Sequence, residues 1–277
     1  MPSPHLLTPR VQVDERPAPG RPSQDRHLVL PHAVVVLDGA SDPREPRGRD
    51  GGWYADQLRE ALQRELIDPG SMPTAVEAAI RSVSTRHGLV PGAAPSCTVA
   101  AVAWDDSTVN AYVLGDSTVV IDLRDDSPQV ISDRRLSEVA TDVRAEYRQA
   151  LTDGRGYDGA HRDRLRRLVE VERQHRNSDA GYWIAEASPA AARHGLTATW
   201  PRDAIRTALL ATDGAAAAVD TYAVIPDWTT ALALSADHGP GVILDAAEAA
   251  EVTDPQATRW PRSKQADDKT MARITLA

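Results

Sequence analysis

An apolar run through Ala33, Val34, Val35, Val36 and Leu37 stops on Asp38-Gly39. A short run rich in β-branched residues and closed by a turn dipeptide reads as a buried strand. Its terminal acid constrains the chain more than the run itself. A carboxylate set where a strand leaves the core is partly desolvated and needs a partner. The pattern recurs: ALLATDG ends on Asp213-Gly214, AYVLGD ends on Gly115-Asp116, and Asp267-Asp268 introduces the last run, MARITLA.

Composition limits what such acids can serve. Hydrophobic residues make up 42% and charged residues 26% of 277, a globular mixture. There is no Phe, so Leu, Val, Ile, Ala, Trp and Tyr must fill the core. The net charge of −9 argues against a nucleic-acid partner, which calls for a basic surplus. Cys97 is the single cysteine, so no intrachain disulfide forms; within SCTVAAVAW it reads as a small core residue. No apolar stretch reaches membrane-spanning length, and MPSPHLLTPR lacks the order of a signal peptide. These features predict a cytoplasmic protein with no membrane partner.

Residues 1–22, rich in Pro and Arg, read as a loose lead-in to a single domain over 23–277. His27 to Leu37 reads as one or two strands broken near Pro31. SDPREPRGRDGG is a polar loop. Tyr54, Leu58, Leu62 and Leu66 recur every four residues and predict a helix. A second helix runs from about Pro73 to Gly88. CTVAAVAW, TVNAYVL, STVVIDL and QVIS, joined by tight turns, suggest an antiparallel meander. Residues 134–176 are Arg-rich and helical in pattern, with a break at TDGRGYDG. GYWIAEA reads as a strand, IRTALLA as another, residues 227–252 as two short helices around HGPG, and MARITLA as the last strand. Hairpins without a βαβ rhythm favour an α+β fold.

Asp-Gly is a common turn dipeptide, and the chain has five, at Asp38, Asp50, Asp153, Asp158 and Asp213. Only Asp38 and Asp213 follow long apolar runs. Spacing alone leaves two readings open: unrelated turns, or a cluster of carboxylates at strand ends. Such a cluster repels itself unless a cation neutralises it. Mg²⁺ and Mn²⁺ prefer oxygen ligands, and paired ions can activate water for attack on phosphorus.

The pieces SQDRHLVL, VVVLDGAS, APSCTVAAVAW, AYVLGDSTVVI, ALLATDGAA and ADDKTMARITLA, in that order, resemble the metal-dependent protein phosphatases of the PPM, or protein phosphatase 2C, family. The likeness runs from about residue 20 to the end. It is greatest to a divergent bacterial branch with a Trp-Tyr helix downstream, here GGWYADQL. The resemblance implies a four-layer α-β-β-α sandwich with two central antiparallel sheets. It implies hydrolysis of phosphoserine and phosphothreonine in proteins by a metal-activated water, with two Mn²⁺ or Mg²⁺ ions and a weaker third. Asp38 would bridge two ions, Gly39 would offer its carbonyl, and Asp213 and Asp267 would be further ligands. Asp116 would hold the third ion. Asp25 would be an outer acid, with Gln24 in place of the motif's first acid. Arg21, one step from the family's phosphate-binding position, becomes the candidate phosphate clamp.

Other positions depart from the family. Ala40 replaces the His that often follows Asp-Gly, and Ala217 stands where an acid completes the later motif, with Asp220 nearby. The alternative is therefore a catalytically weak or inactive pseudophosphatase acting as a binding or regulatory module. A metal-dependent phosphoesterase of small substrates is a third reading. A haloacid-dehalogenase mechanism is disfavoured, because its second Asp would fall at Ala40. The arginines of 134–176 fall where the family has a variable flap. They could bind a phosphorylated partner, but amphipathic helices with Leu165, Leu168 and Val171 inward explain them as a solvated face. His161 and His175 in that segment are candidates for the missing general acid. Trp53, Tyr54 and Trp183 read as packing residues.

Overall fold

The structure is a computed structural model and describes residues 8–42, 49–67 and 72–276. Two five-stranded antiparallel sheets stack face to face. The first has the order β1 (Arg10–Arg16), β10 (Lys269–Thr275), β9 (Ile205–Ala211), β6 (Thr118–Leu123), β7 (Gln129–Ser132). The second has the order β2 (Asp25–Leu30), β3 (Ala33–Gly39), β4 (Cys97–Trp104), β5 (Thr108–Leu114), β8 (Leu196–Pro201).

The two-residue period of a strand divides the apolar residues between two cores. Val34 and Val36 of β3, with Ala100 and Val102 of β4, meet Val119, Leu210 and Ala272 of the other sheet in the central core. Val35 and Leu37 point the other way, under helices α1 (Gly51–Glu65) and α2 (Met72–His87). On the outside of the first sheet, Leu209 and Met271 lie under α6 (Asp213–Asp220), α7 (Trp228–His238) and α8 (Gly241–Thr253). This is the α-β-β-α sandwich, with α+β content. Asp38 has the parity of Val34 and Val36, so its side chain belongs to the space between the sheets.

A third group of helices stands apart. α3 (Arg135–Glu138), α4 (Thr141–Thr152) and α5 (His161–Gln174) form the expected flap, broken over 153–160. α4 and α5 close around a small cluster of their own, Tyr147, Leu151 and Leu168 with Ala257.

Four expectations are corrected. The lead-in is not loose throughout: residues 10–16 form β1, which pairs antiparallel with β10, Val13 opposite Ala272. Residues 1–7 lie outside the described ones, as do 43–48 of the polar loop. The meander is broken: β4 pairs with β5, but the chain then crosses to the other sheet at Gly115-Asp116, and β6 pairs with β7 and β9. GYWIAEA is not a strand; it contributes isolated bridges at Tyr182 and Ala185. The edge strand β8 was not foreseen, because LTATWP ends in a proline and is largely exposed, so it carries little apolar signal.

Candidate metal centre

Each acid reaches the site from the end of a different element. Asp25 opens β2 and Asp38 closes β3, and the two stand directly opposite in the antiparallel register. Asp116 sits in the crossover between the sheets. Asp213 begins α6 immediately after β9, and Asp267 precedes β10. Two glycines allow the approach. A side chain at Gly39 would meet the Gly51 carbonyl carbon at 2.5 Å, and one at Gly214 would collide with the carbonyl of Asp268. The Asp-Gly dipeptides at 38 and 213 are thus close-packing positions at the sheet ends. The other three serve as the sequence suggests: Asp50 caps α1 by accepting from Trp53 N at 2.9 Å, Asp153 ends α4, and Asp158 accepts from His161 N at 2.7 Å.

The electrostatics are those of crowded carboxylates. Burial, then the charges of Asp213, Asp25 and Asp267, hold Asp38 well above the ordinary range. Burial, then Asp267 and Asp213, pushes Asp25 up to about 8. Burial and the Asp213 charge push Asp116 up to about 7. Asp213 is also raised, by burial and then by Asp267. Its side chain opens to the cleft, where water relieves part of the effect. Asp25 accepts from Thr212 Oγ1 at 3.0 Å through Oδ2. Its Oδ1 and the neighbouring Thr270 Oγ1 are buried with no hydrogen-bond partner.

Arg21 and Gln24 also lie here. The Arg21 guanidinium is 3.2 Å from Asp268, 3.6 Å from Asp267 and 3.4 Å from the Gln24 amide oxygen. Gln24 further accepts from Ser41 Oγ at 2.5 Å. Gly39 borders the cleft beside Asp38. Asp220 is not part of the group: it ends α6 and accepts from Trp228 Nε1 at 3.0 Å, while Ala217 lies buried on that helix. His161 is turned away from the acids, its Nε2 against Ser263 O at 3.3 Å, and burial keeps it below its ordinary range. Neither His161 nor His175 is among the residues lining the cleft.

Sequence reasoning missed Glu251, Lys264 and Lys269, and gave Asp268 no role beyond its place in the Asp267-Asp268 pair. Asp268 is buried and accepts from Ala18 N at 2.8 Å and Gln24 N at 3.1 Å, tying the chain before β2 to β10. Glu251 and Lys269 form a buried pair at 2.6 Å that grips Asp267 at both backbone groups, its N–H by Glu251 at 3.2 Å and its carbonyl by Lys269 at 2.7 Å. Lys264 places its ammonium 2.6 Å from Asp267 Oδ1. No periodicity marks these positions; only the nearness of Lys264 to Asp267 in sequence hints at a pair.

A cleft of about 330 Å³ opens over the acids, lined by Asp116, Asp213, Asp267 and Lys264 and, on the flap side, by Arg144 and Arg148. Arg144 is itself paired with Glu172 at 2.8 Å, and most other flap arginines are likewise engaged within the fold: Arg164 with Asp158 at 2.9 Å, Arg167 with Glu146 at 2.8 Å, Arg173 with Gly92 O at 2.7 Å.

The donor set fits a hard divalent cation in kind: crowded carboxylates at the sheet ends, one with a buried oxygen, Asp25 Oδ1, left without a partner. As placed, no group of three His, Cys, Asp or Glu side chains among the described residues stands close enough to hold a metal ion. The cation nearest the acids is the Lys264 ammonium.

A family model described as Protein phosphatase 2C matches residues 15–242, well over half of the chain and including Asp25, Asp38, Asp116 and Asp213. The chain belongs to this family. No curated protein sequence matches it. Among solved structures it is similar to the PPM Ser-Thr phosphatase MsPP from Mycobacterium smegmatis in complex with cacodylate, at 18% identity and a TM-score of 0.55 over 98% of this chain and 99% of that one. It is similar to the catalytic domain of the serine/threonine protein phosphatase PstP in complex with two manganese ions, at 15% identity and a TM-score of 0.53 over 96% and 97%. A third likeness is to PppA, a regulatory component of T6SS in Pseudomonas aeruginosa, at 14% identity and a TM-score of 0.56 over 98% and 99%. At these identities the structures share the phosphatase 2C fold. Among the described residues no helix is long and apolar enough to cross a membrane.

Proposed function

We propose that this phosphatase 2C family member is a Mn²⁺- or Mg²⁺-dependent hydrolase of phosphoserine and phosphothreonine in proteins. The observation that carries the reading is the convergence of Asp38 and Asp213. They come from different sheets, yet they lie close enough for the charge of Asp213 to act directly on Asp38. Carboxylates gathered at such cost are what a divalent cation site needs. The family match and the manganese-bound PstP relative support the same reading.

In this reading Asp38, Asp213, Asp267 and the Gly39 carbonyl would hold the two ions, and Asp116 would serve a weaker third. Bound there, the ions would supply Lewis acidity to the phosphoryl oxygens and a nucleophile at neutral pH. Asp25 and Gln24 orient the inner groups: Asp25 stands across from Asp38, and the Gln24 carbonyl accepts from Gly39 N at 3.2 Å. Arg21 binds the substrate phosphate, leaving its present carboxylate partners to do so, since a guanidinium matches phosphate in two-point geometry. Arg144 and Arg148 at the cleft wall add positive charge beside the phosphorylated segment. The buried single cysteine suits a reducing compartment such as the cytoplasm.

The test is hydrolysis of a phosphothreonine peptide by the pure protein with Mn²⁺, with Mg²⁺ and with excess chelator. Turnover that depends on either ion and stops with chelator is expected. A preference for small phosphate esters over the peptide would move the substrate to the small-molecule class. Metal binding without turnover of either would make the protein a pseudophosphatase.

A further inference from the structure

Lys264 brings its own positive charge into the acidic cluster. Its ammonium is 2.6 Å from Asp267 Oδ1, and the charges of Asp38 and Asp213 act on it as well. Its side chain is 24% exposed, so it is enclosed by the site.

The main chain around Lys264 is gripped from the flap. Tyr157 Oη donates to the Lys264 carbonyl at 2.7 Å and lies 3.2 Å from that of Arg262. Tyr147 Oη reaches the Arg262 carbonyl at 3.3 Å, and His161 Nε2 meets that of Ser263 at 3.3 Å. From the other side, Arg262 is bound to the buried Asp254 at 3.0 Å. Three aromatic side chains of the flap thus hold three consecutive carbonyls, those of residues 262–264. The third of those residues carries the lysine.

We propose that Lys264 is a built-in competitor for the metal: its ammonium neutralises the carboxylate cluster, and a divalent cation binds only as the ammonium withdraws. The proposal rests on the reading of this cluster as a metal site. A cation of charge two and an ammonium cannot share Asp267 without strong repulsion at contact distance. Because the flap holds the Lys264 main chain, displacement of the flap loosens the ammonium and raises metal affinity. By linkage, metal binding then favours the displaced flap by the same factor.

The experiment is calorimetric titration of Mn²⁺ into the full chain and into Lys264→Met, Lys264→Arg and Tyr157→Phe, each checked for a cooperative thermal melt. Lys264→Met is expected to bind Mn²⁺ about tenfold or more tightly than the unaltered protein, within the usual range of coupling between sites. Lys264→Arg keeps the charge and stays close to the unaltered affinity. Tyr157→Phe removes the tether and shifts affinity in the same direction as Lys264→Met, by less. It tests the idea independently if Lys264→Met does not fold. Equal affinity in all four forms would overturn the competition and leave the metal site standing. Weaker binding by Lys264→Met would overturn it in favour of a lysine that supports the site. No binding by any form would overturn both readings.

Discussion

Asp25 and Asp38 are directly opposed on neighbouring strands β2 and β3, at the end of the sheet that opens on the cleft. Like charges in this position destabilise a sheet. The fold keeps the pair by leaving protons on it, and Asp25 is pushed up to about 8.

That cost sets a pH dependence. Above about 4 the unfolded chain has released these protons, whereas folded Asp25, Asp38 and Asp116 still hold them. The folded state binds more protons, so stability falls as pH rises. The contribution is full below about 4 and is lost as pH rises through about 8. Metal-free protein is expected to melt lower at pH 8 than at pH 5 by about 5 °C or more. Saturating Mn²⁺ should remove most of the difference. Calorimetric melts across this range, with and without Mn²⁺, are the check; a metal-free melting point that rises with pH would contradict the clustering.

Asp38→Asn separates stability from activity. It removes a buried acid that lies among the charges of Asp213, Asp25 and Asp267 while preserving its shape. The metal-free variant should be at least as stable as the parent at pH 8. Phosphopeptide turnover should fall by at least about 100-fold, beyond the loss usual for residues one step removed from a metal. A folded variant with parental turnover would remove Asp38 from the site.

Glu251→Ala tests how Asp267 is held. Glu251 and Lys269 are each 2% exposed, so removing the carboxylate strands a buried ammonium. Breaking such a pair costs about 3–5 kcal/mol, a drop in melting temperature on the order of 10 °C. Asp267 N–H also loses its acceptor. Mn²⁺ affinity should therefore fall about tenfold as well, read by titration.

Asp268→Ala should unfasten the segment before β2. Ala18 N and Gln24 N lose their acceptor, and Arg21 loses one of its partners while keeping Gln24 and Asp267. Leaving buried donors unpaired costs about 2–4 kcal/mol in total, and Asp268→Asn, which keeps one carbonyl oxygen, should cost less. Denaturant unfolding of the two variants compares them directly.

The sequence by itself determined the strands and the helices that cover them. β3, β4, β9, β10, α1 and α2 follow from local apolar periodicity, which a single chain displays without reference to its partners. Asp38 and Asp213 were legible because an acid at the end of a buried run breaks that pattern. Local patterning could not tell which sheet each strand joins. β5 and β6 read as one hairpin, yet the turn at Asp116 passes between sheets, because each strand pairs where its apolar face finds a core. β1 was missed for the same reason. Its residues are only half apolar and become a strand by pairing with β10, which follows some 250 residues later in sequence. The depth of the site was likewise decided in three dimensions. Glu251, Lys264 and Lys269 carry no local signal, since charged residues in loops and helix ends are ordinarily solvated. Only the packing of α8, the flap and the terminal strand against the sheet ends turns them inward.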